Sequence, residues 1–251
     1  MNTTAPADVH IPGLRNLWKA AFGDTDDFLD DFFATAYAPH RCRCIVVEDC
    51  VAAALYWLDC TCQEKKLAYV YAVATDPAYR GRGLCRMLMA ETMEVLKNSG
   101  YSGVVLVPQK PGLINMYAGM DFTPSSGVME FHVMAGDPIP ARKIGMEEFA
   151  RLRREFLPLG GVVQEGENLT FLATQTACYA GENWLAVTAE VDGMLWCPEF
   201  LGDASRASGL VKTLGYREGG FRVPGDGRPF AMFRPLTKDC PQPTYFGLAF
   251  D

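Results

Sequence analysis

Hydrophobic and polar positions in the middle of the chain predict a strand, a turn, a helix and a second strand. Leu67 to Ala74 is rich in β-branched and aromatic residues, which is typical of a β-strand. From Leu84 onward, apolar residues recur at helical spacing, which predicts a helix with one buried face. A short apolar run from Gly103 to Val107 predicts the next strand. The turn between the first strand and the helix contains two glycines.

The pattern before this region predicts two helices and a hairpin. A helix is expected over 28–37 with Asp24 as its N-cap, and a shorter helix is expected around Trp18. Residues 41–48 and 51–58 predict two strands that form the hairpin. The aromatic residues of the helices are expected mainly to cover the sheet.

The pattern after a Gly/Pro-containing linker repeats this order of elements. We expect helices at 146–156 and 168–179, a hairpin at 184–197, a short helix capped by Asp203 or Ser205 and ending at Leu214, and strands at 221–223 and 229–234. The last residues, 243–251, are apolar and aromatic, so we expect them to be packed rather than free.

The glycine-containing turn has the features of an anion site. Gly81 and Gly83 stand where the strand becomes a helix, and glycine allows close approach of backbone to a ligand. The first N–H groups of a helix lack internal partners and favour phosphate. A dinucleotide fingerprint is excluded because Arg86 occupies the position of its third glycine, and no P-loop sequence is present.

The turn resembles the R-x-x-G-x-[GA] pyrophosphate loop of the GNAT superfamily of acyl-CoA-dependent N-acyltransferases. Arg80 to Cys85 carries this motif, with Cys85 in place of its last small residue. The segment from Asn115 to Phe122 resembles the family's N-x-Y-x-x-x-G-F segment, with Asp121 in place of the glycine. The resemblance is clear over roughly 45–136 and thin elsewhere.

The resemblance implies an α+β fold, with a mixed, mostly antiparallel sheet flanked by helices. We predict a GNAT acetyltransferase domain at 1–136 and a degenerate GNAT-like domain at 137–251, which lacks the loop and cannot hold CoA. This layout is similar to that of aminoglycoside acetyltransferases of the "enhanced intracellular survival" type. In that family the terminal carboxylate acts as the base, so the end at Asp251 is one candidate, with core packing as the alternative.

The resemblance also implies acetyl-CoA as the co-substrate. The backbone of Val73, Ala74 and Thr75 is expected to pair with the pantetheine arm as an added strand would. The pyrophosphate is expected to be wrapped by Arg80, Gly81, Arg82, Gly83, Leu84, Cys85 and Arg86. Arg82 or Arg86 is expected to add charge-assisted contacts to phosphate, with a solvated helix start as the alternative.

Tyr117 is the predicted catalytic acid, by its match to the family's tyrosine segment. Amine acylation expels a CoA thiolate, and a nearby phenol can protonate it. A core tyrosine is the alternative. No base is assigned, because the strand before the loop has no carboxylate; Glu130 and His132 share a face of a predicted strand and stay open as alternatives to a solvated edge.

The cysteines admit two further interpretations. Cys85 at a helix N-terminus could be a nucleophile, or simply a tolerated small residue. The C-x-C pairs Cys42/Cys44 and Cys60/Cys62 could bind zinc, although their spacing favours apolar filler, and no metal is predicted. With nine cysteines and no recognisable export signal, we expect reduced thiols and a cytoplasmic location.

Composition limits the possible partners. The net charge of −7 argues against nucleic acid, and no apolar run is long enough to span a membrane.

The leading hypothesis is an N-acetyltransferase that transfers acetyl from acetyl-CoA to a primary amine of a small molecule or peptide. The alternative is a non-catalytic CoA-binding sensor or assembly module. The sequence predicts neither the acceptor nor the oligomeric state.

Overall fold

A computed structural model describes residues 2–250, which form one mixed sheet of twelve strands with helices on its faces. The strand order is β1-β2-β3-β4-β12-β5-β11-β10-β9-β8-β6, and β7 pairs with β2. The strands are β1 Cys42–Val47, β2 Cys50–Cys62, β3 Lys65–Thr75, β4 Gly103–Leu106, β5 Thr123–Met134, β6 Arg142–Ile144, β7 Val163–Gln164, β8 Ala177–Ala180, β9 Trp184–Val191, β10 Met194–Gly202, β11 Glu218–Pro224 and β12 Arg228–Pro235.

Seven α-helices accompany the sheet in the described residues. They are α1 Ile11–Phe22, α2 Asp26–Thr35, α3 Leu84–Asn98, α4 Gly112–Ala118, α5 Met146–Phe156, α6 Glu167–Gln175 and α7 Ala207–Thr213. In the part of the chain that the structure describes, none of these helices combines the length and the apolarity needed to cross a membrane.

The two halves of the chain are built around the same unit, a parallel strand pair joined by a helix. In the first half, β3 pairs with β4 in parallel, with α3 between them in sequence. In the second half, β10 pairs with β11 in parallel, with α7 between them. The predicted repetition of the element order therefore has a structural counterpart, and the fold class is confirmed.

The halves are joined by an exchange of strands. β12, the last strand of the second half, lies between β4 and β5 and pairs antiparallel with both. β5 in turn pairs antiparallel with β11 of the second half. The sheet is therefore continuous through the whole chain, with β12 and β5 at the centre.

The core lies on both faces of this sheet. On one face, β1, β2 and β3 pack against α1, α2, α6 and the end of the chain. On the other face, the same strands pack against α3 and α4. A third cluster in the second half surrounds α7. The alternation of side chains along β2 and β3 distributes their apolar residues to both faces, which explains why both strands are apolar almost throughout.

Two predicted boundaries are wrong. The N-cap of α2 is Thr25, whose side chain accepts from the amide of Phe28, while Asp24 accepts a bond from the Trp18 indole at 2.7 Å. The predicted helix over 168–179 ends at Gln175, because residues 177–180 form β8 between β6 and β9. Burial alternates along β8, and this alternation is the strand signal that the helical prediction missed.

The predicted hairpin of β1 and β2 is present, with Glu48 and Asp49 in left-handed conformation at its turn. Cys42 pairs opposite Tyr56, whereas Cys60 lies four residues further along β2, about 13 Å away by strand rise. The two C-x-C pairs do not converge, and the described residues contain no group of side chains arranged to hold a metal ion.

Candidate active site

A cleft opens where β3 and β4 separate. The strands are paired from Leu67–Gly103 to Tyr69–Val105, but β3 continues to Thr75 while β4 ends at Leu106. A bulge accompanies the separation, because the register against β2 shifts and Ala72 takes a φ of 49°. Among the described residues, no strand pairs with this edge of β3 beyond Tyr69.

The edge left open carries the predicted pantetheine residues. Val73, Ala74 and Thr75 follow directly after the bulge, and on their other side Ala74 and Thr75 pair with β2. An extended ligand that contains amides can satisfy such an edge in the way that an added strand would.

The glycine turn lies at the end of this edge and is open to solvent. Gly81 and Gly83 both have a φ of 75°, in the left-handed region where glycine is favoured. A Cβ built at either position meets nothing within 4 Å, so space is available directly above the turn.

Helix α3 begins directly after this turn. Gly83 is its N-cap and provides no side-chain cap, and the first intrahelical bond is donated by Met87. The amides of Leu84, Cys85 and Arg86 therefore have no intrahelical acceptor and carry the positive end of the helix dipole. The turn and the helix start therefore have the features expected of an anion site.

The three arginines of the turn each donate to a backbone carbonyl. Arg80 donates to Thr75 at 3.1 Å and Arg82 to Ala78 at 3.2 Å. All three side chains are exposed, and a guanidinium has five donors, so these bonds leave donors for phosphate.

The third arginine, Arg86, donates to the carbonyl of Gly119 at 2.7 Å. Gly119 is the C-cap of α4, so this bond connects the first turn of α3 to the end of α4. The positive charge of Arg86 beside the C-terminal end of α4 also complements the dipole of α4.

Tyr117 lies in the same apolar cluster as the start of α3. It is buried together with Leu84 and Leu106, and its ring meets Phe122 edge-on at 5.9 Å between centroids. Burial, with a smaller contribution from the neighbouring Cys85, raises the pKa of Tyr117 above its ordinary value. The phenol is therefore protonated at neutral pH, as a proton donor must be.

Cys85 does not have the environment of a nucleophile. Burial raises the pKa of its thiol, and the opposing effect of Arg86 is smaller. A thiol that stays protonated at neutral pH is a weak nucleophile. The structure therefore favours the interpretation of Cys85 as a small residue at the helix start.

The two side chains considered as bases lie away from the cleft. Both are on β5, which is separated from β4 by β12. Glu130 accepts bonds from Arg222 at 2.9 Å and from Arg228 at 2.6 Å, and His132 lies 3.3 Å from Glu218. Their strand position and their partners do not favour a role at the thioester.

Aromatic rings from three parts of the chain cover β2 and β3 beside the cleft. Trp18 and Phe32 pack on Tyr71, with centroids 5.5 and 5.9 Å away. Phe171 of α6 and Phe250 meet at 5.0 Å, and Phe250 reaches Tyr71 at 5.7 Å. The tail is packed, as predicted, with Asp251 itself outside the described residues. Its contact with β3 had no sequence signal beyond its apolar composition.

Comparisons with known proteins agree with this geometry. Residues 5–124 match the family model described as "Acetyltransferase (GNAT) domain". Comparison with curated proteins gave no match.

Several solved structures share the fold over most of the chain. A GCN5-related N-acetyltransferase from Kribbella flavida has a TM-score of 0.71 and 17% identity, covering 93% of this chain and 70% of its own. One from Anabaena variabilis has a TM-score of 0.73 and 14% identity, covering 94% and 73%. Eis1 from Mycobacterium abscessus has a TM-score of 0.68 and 10% identity, covering 94% and 74%. At identities of 10–17%, this similarity shows a shared fold alone.

The glycine turn, the open strand edge and the family match identify the class of protein: an acyltransferase that uses a CoA thioester. Residues 5–124, the first half of the chain, match the GNAT acetyltransferase domain, and the solved structures share its fold.

Proposed function

We propose that the protein transfers an acetyl group from acetyl-CoA to a primary amine of a small molecule or peptide. One observation supports the proposal: an unpaired strand edge leads to an uncapped helix start, and the buried, protonated Tyr117 lies in the apolar cluster of that helix start. The edge at Val73 to Thr75 would bind the pantetheine amides, and the turn from Arg80 to Arg86 would bind the diphosphate.

The transfer is direct, within a complex of enzyme and both substrates. The amine nitrogen attacks the thioester carbonyl, a C–N bond forms and the C–S bond breaks. Tyr117 gives its phenolic proton to the departing CoA thiolate and regains one from solvent, while the attacking nitrogen loses its extra proton to solvent. Because Cys85 stays protonated, no acetyl-enzyme is required.

The test removes only the phenolic hydroxyl. Tyr117→Phe should lower kcat by about 100-fold or more, because proton transfer to the leaving group contributes about that much. The affinity for acetyl-CoA should be unchanged, because the ring still fills its site. Tyr216→Phe, in the second half, is the matched control and should leave kcat unchanged. Binding of acetyl-CoA without turnover by the wild-type protein would support a non-catalytic module instead.

The pH dependence follows from the raised pKa of Tyr117. The acid form is the active one and persists above the ordinary tyrosine pKa, so kcat should keep its plateau to about pH 10. A decline in kcat with an apparent pKa of about 8 that disappears in Tyr117→Phe would contradict this assignment.

A further inference from the structure

A buried ion pair in the second half has no role in the chemistry described so far. Arg153 of α5 and Glu199 of β10 are 2% and 1% exposed. Arg153 donates from Nε to one carboxylate oxygen of Glu199 at 2.6 Å and from a terminal nitrogen to the other at 2.9 Å. It also donates to the carbonyl of Val162 at 3.1 Å. A buried pair is weak evidence for stability alone, which raises the question of what this one holds.

The ion pair holds the beginning of the C-terminal tail, defined as residues 243–250. The hydroxyl of Tyr245 donates to Glu199 at 3.1 Å, and the carbonyl of Tyr245 accepts from the amide of Val162 at 2.8 Å. The chain then passes so closely over the carboxylate that a Cβ at Gly247 would lie 2.4 Å from Glu199 Oε1. Only glycine fits at this point of the tail.

The far end of the tail reaches the cleft of the first half. The carbonyl of Leu248 accepts from Gln164 at 2.6 Å, which fixes the middle of the tail. The amide of Phe250 donates to the hydroxyl of Tyr69 at 3.4 Å, and its ring packs on Tyr71. Tyr71 immediately precedes Ala72, where β3 has separated from β4.

We propose that Arg153, Glu199 and Tyr245 are positioning residues that hold the tail as one wall of the acceptor side of the cleft. This inference rests on the proposed function. None of the three residues lies in the glycine turn or beside Tyr117, so they act through the tail. Their displacement should weaken binding of the amine and leave binding of acetyl-CoA unchanged.

The experiment uses the full chain and two variants of the network. Tyr245→Phe removes one hydroxyl and keeps the ring, so it tests the anchor with little risk to folding. Arg153→Met combined with Glu199→Leu removes both charges together, a change that buried pairs often tolerate. Arg154→Gln is the matched control. Arg154 is the neighbouring residue on the same helix, and the variant breaks its exposed ion pair with Glu165.

Two readouts are compared among these proteins. Release of the CoA thiol from acetyl-CoA is followed with n-butylamine as the acceptor, to give KM values for both substrates. Hydrogen–deuterium exchange of residues 243–250 reports how firmly the tail is held.

Both variants should exchange the tail amides roughly tenfold faster, the effect of losing one hydrogen bond to a charged group. They should also raise KM for n-butylamine severalfold, with KM for acetyl-CoA unchanged. Arg154→Gln should match wild type in every readout.

Unchanged tail exchange, or an unchanged amine KM in both variants, would overturn the inference. A parallel loss in both KM values that follows thermal stability would also overturn it, because that is the result of a general structural role. Absence of thiol release by the wild-type protein would overturn the proposed function, while the exchange rates would still decide whether the network holds the tail.

Discussion

The two halves of the molecule build the same parallel strand pair and treat the ends of these strands differently. In each half, three residue pairs connect the parallel strands: Leu67 to Tyr69 with β4, and Leu195 to Cys197 with β11. In each half the longer strand then continues beyond its partner, to Thr75 in β3 and to Gly202 in β10. A parallel strand pair whose longer strand runs on past the paired residues is therefore present twice.

The turns that follow these strands differ in how they lead into the helix. In the first half, Gly81 and Gly83 leave open space and no side-chain cap. In the second half, Asp203 caps a 3-10 turn, Ala204–Arg206, that runs directly into α7; its carboxylate accepts from the Ser205 amide at 3.1 Å and from the Ser205 hydroxyl at 2.7 Å. The first half has a similar capped 3-10 turn, because Asp76 accepts from the Ala78 amide at 2.8 Å, but there the two glycines follow it and leave the start of α3 open.

The linker closes the second half further. The amide of Gly136 donates to the carbonyl of Ser208 in the first turn of α7, at 3.0 Å. A Cβ at Gly209 would lie 2.5 Å from the side chain of Ile139 and 2.9 Å from the carbonyl of Asp137. The comparison teaches that two halves with the same strand pair can differ at one turn and one covering segment, and the proposed CoA site depends on that difference.

The largest effect is expected from Gly83→Asp. A carboxylate at this position would meet the diphosphate, so we expect the Kd for acetyl-CoA to rise by roughly 100-fold or more. Gly193→Asp is the matched control, because its φ of 77° and open surroundings impose the same backbone strain far from the cleft. Calorimetric titration checks both; retained affinity in Gly83→Asp would count against the diphosphate site.

A smaller effect, on stability alone, is expected from Gly209→Ala. The added methyl would overlap the linker, so the free energy of unfolding should fall by about 1–3 kcal/mol with acetyl-CoA affinity unchanged. Gly112→Ala, at a helical position with nothing within 4 Å, is the control and should not destabilise the protein. Denaturant unfolding measures both. A Gly209→Ala protein as stable as wild type would show that the linker does not pack tightly on α7.

The smallest effect is expected from Asp203→Ala. Its bonds to Ser205, and a smaller effect of Arg206, lower the pKa of Asp203, so the ionised form is the stabilising one. The stability it contributes is present above the unfolded pKa of about 4 and is lost as the pH falls through the folded value. Thermal unfolding should show a slightly lower Tm at pH 7 and a difference that shrinks as the pH falls below about 4. A constant difference across this range would contradict capping by the carboxylate.

The sequence predicted the parts of the site that depend on local pattern. The strand before the turn, the glycines and the helix from Leu84 follow from residue type and spacing, and all three are present. The contact of Phe250 with Tyr71 and the pairing of Arg153 with Glu199 were not predicted, because they join segments far apart in the chain. No spacing rule reports such tertiary contacts, and a buried arginine looks like any other helical arginine.

The exchange of β12 and β5 was missed for the same reason. Each strand has the expected pattern, but the pattern does not state which strand is its neighbour in the sheet. The cap at Asp203, in contrast, was one of the two predicted alternatives, with Ser205, because capping acts over two or three residues.

The most direct test of the account is the number of acetyl-CoA molecules that one chain binds. Calorimetric titration of the wild-type protein should give one site per chain, and Gly83→Asp should remove it. Two sites per chain, or one site that persists in Gly83→Asp, would show that the second half holds the cofactor and would contradict the difference between the two turns.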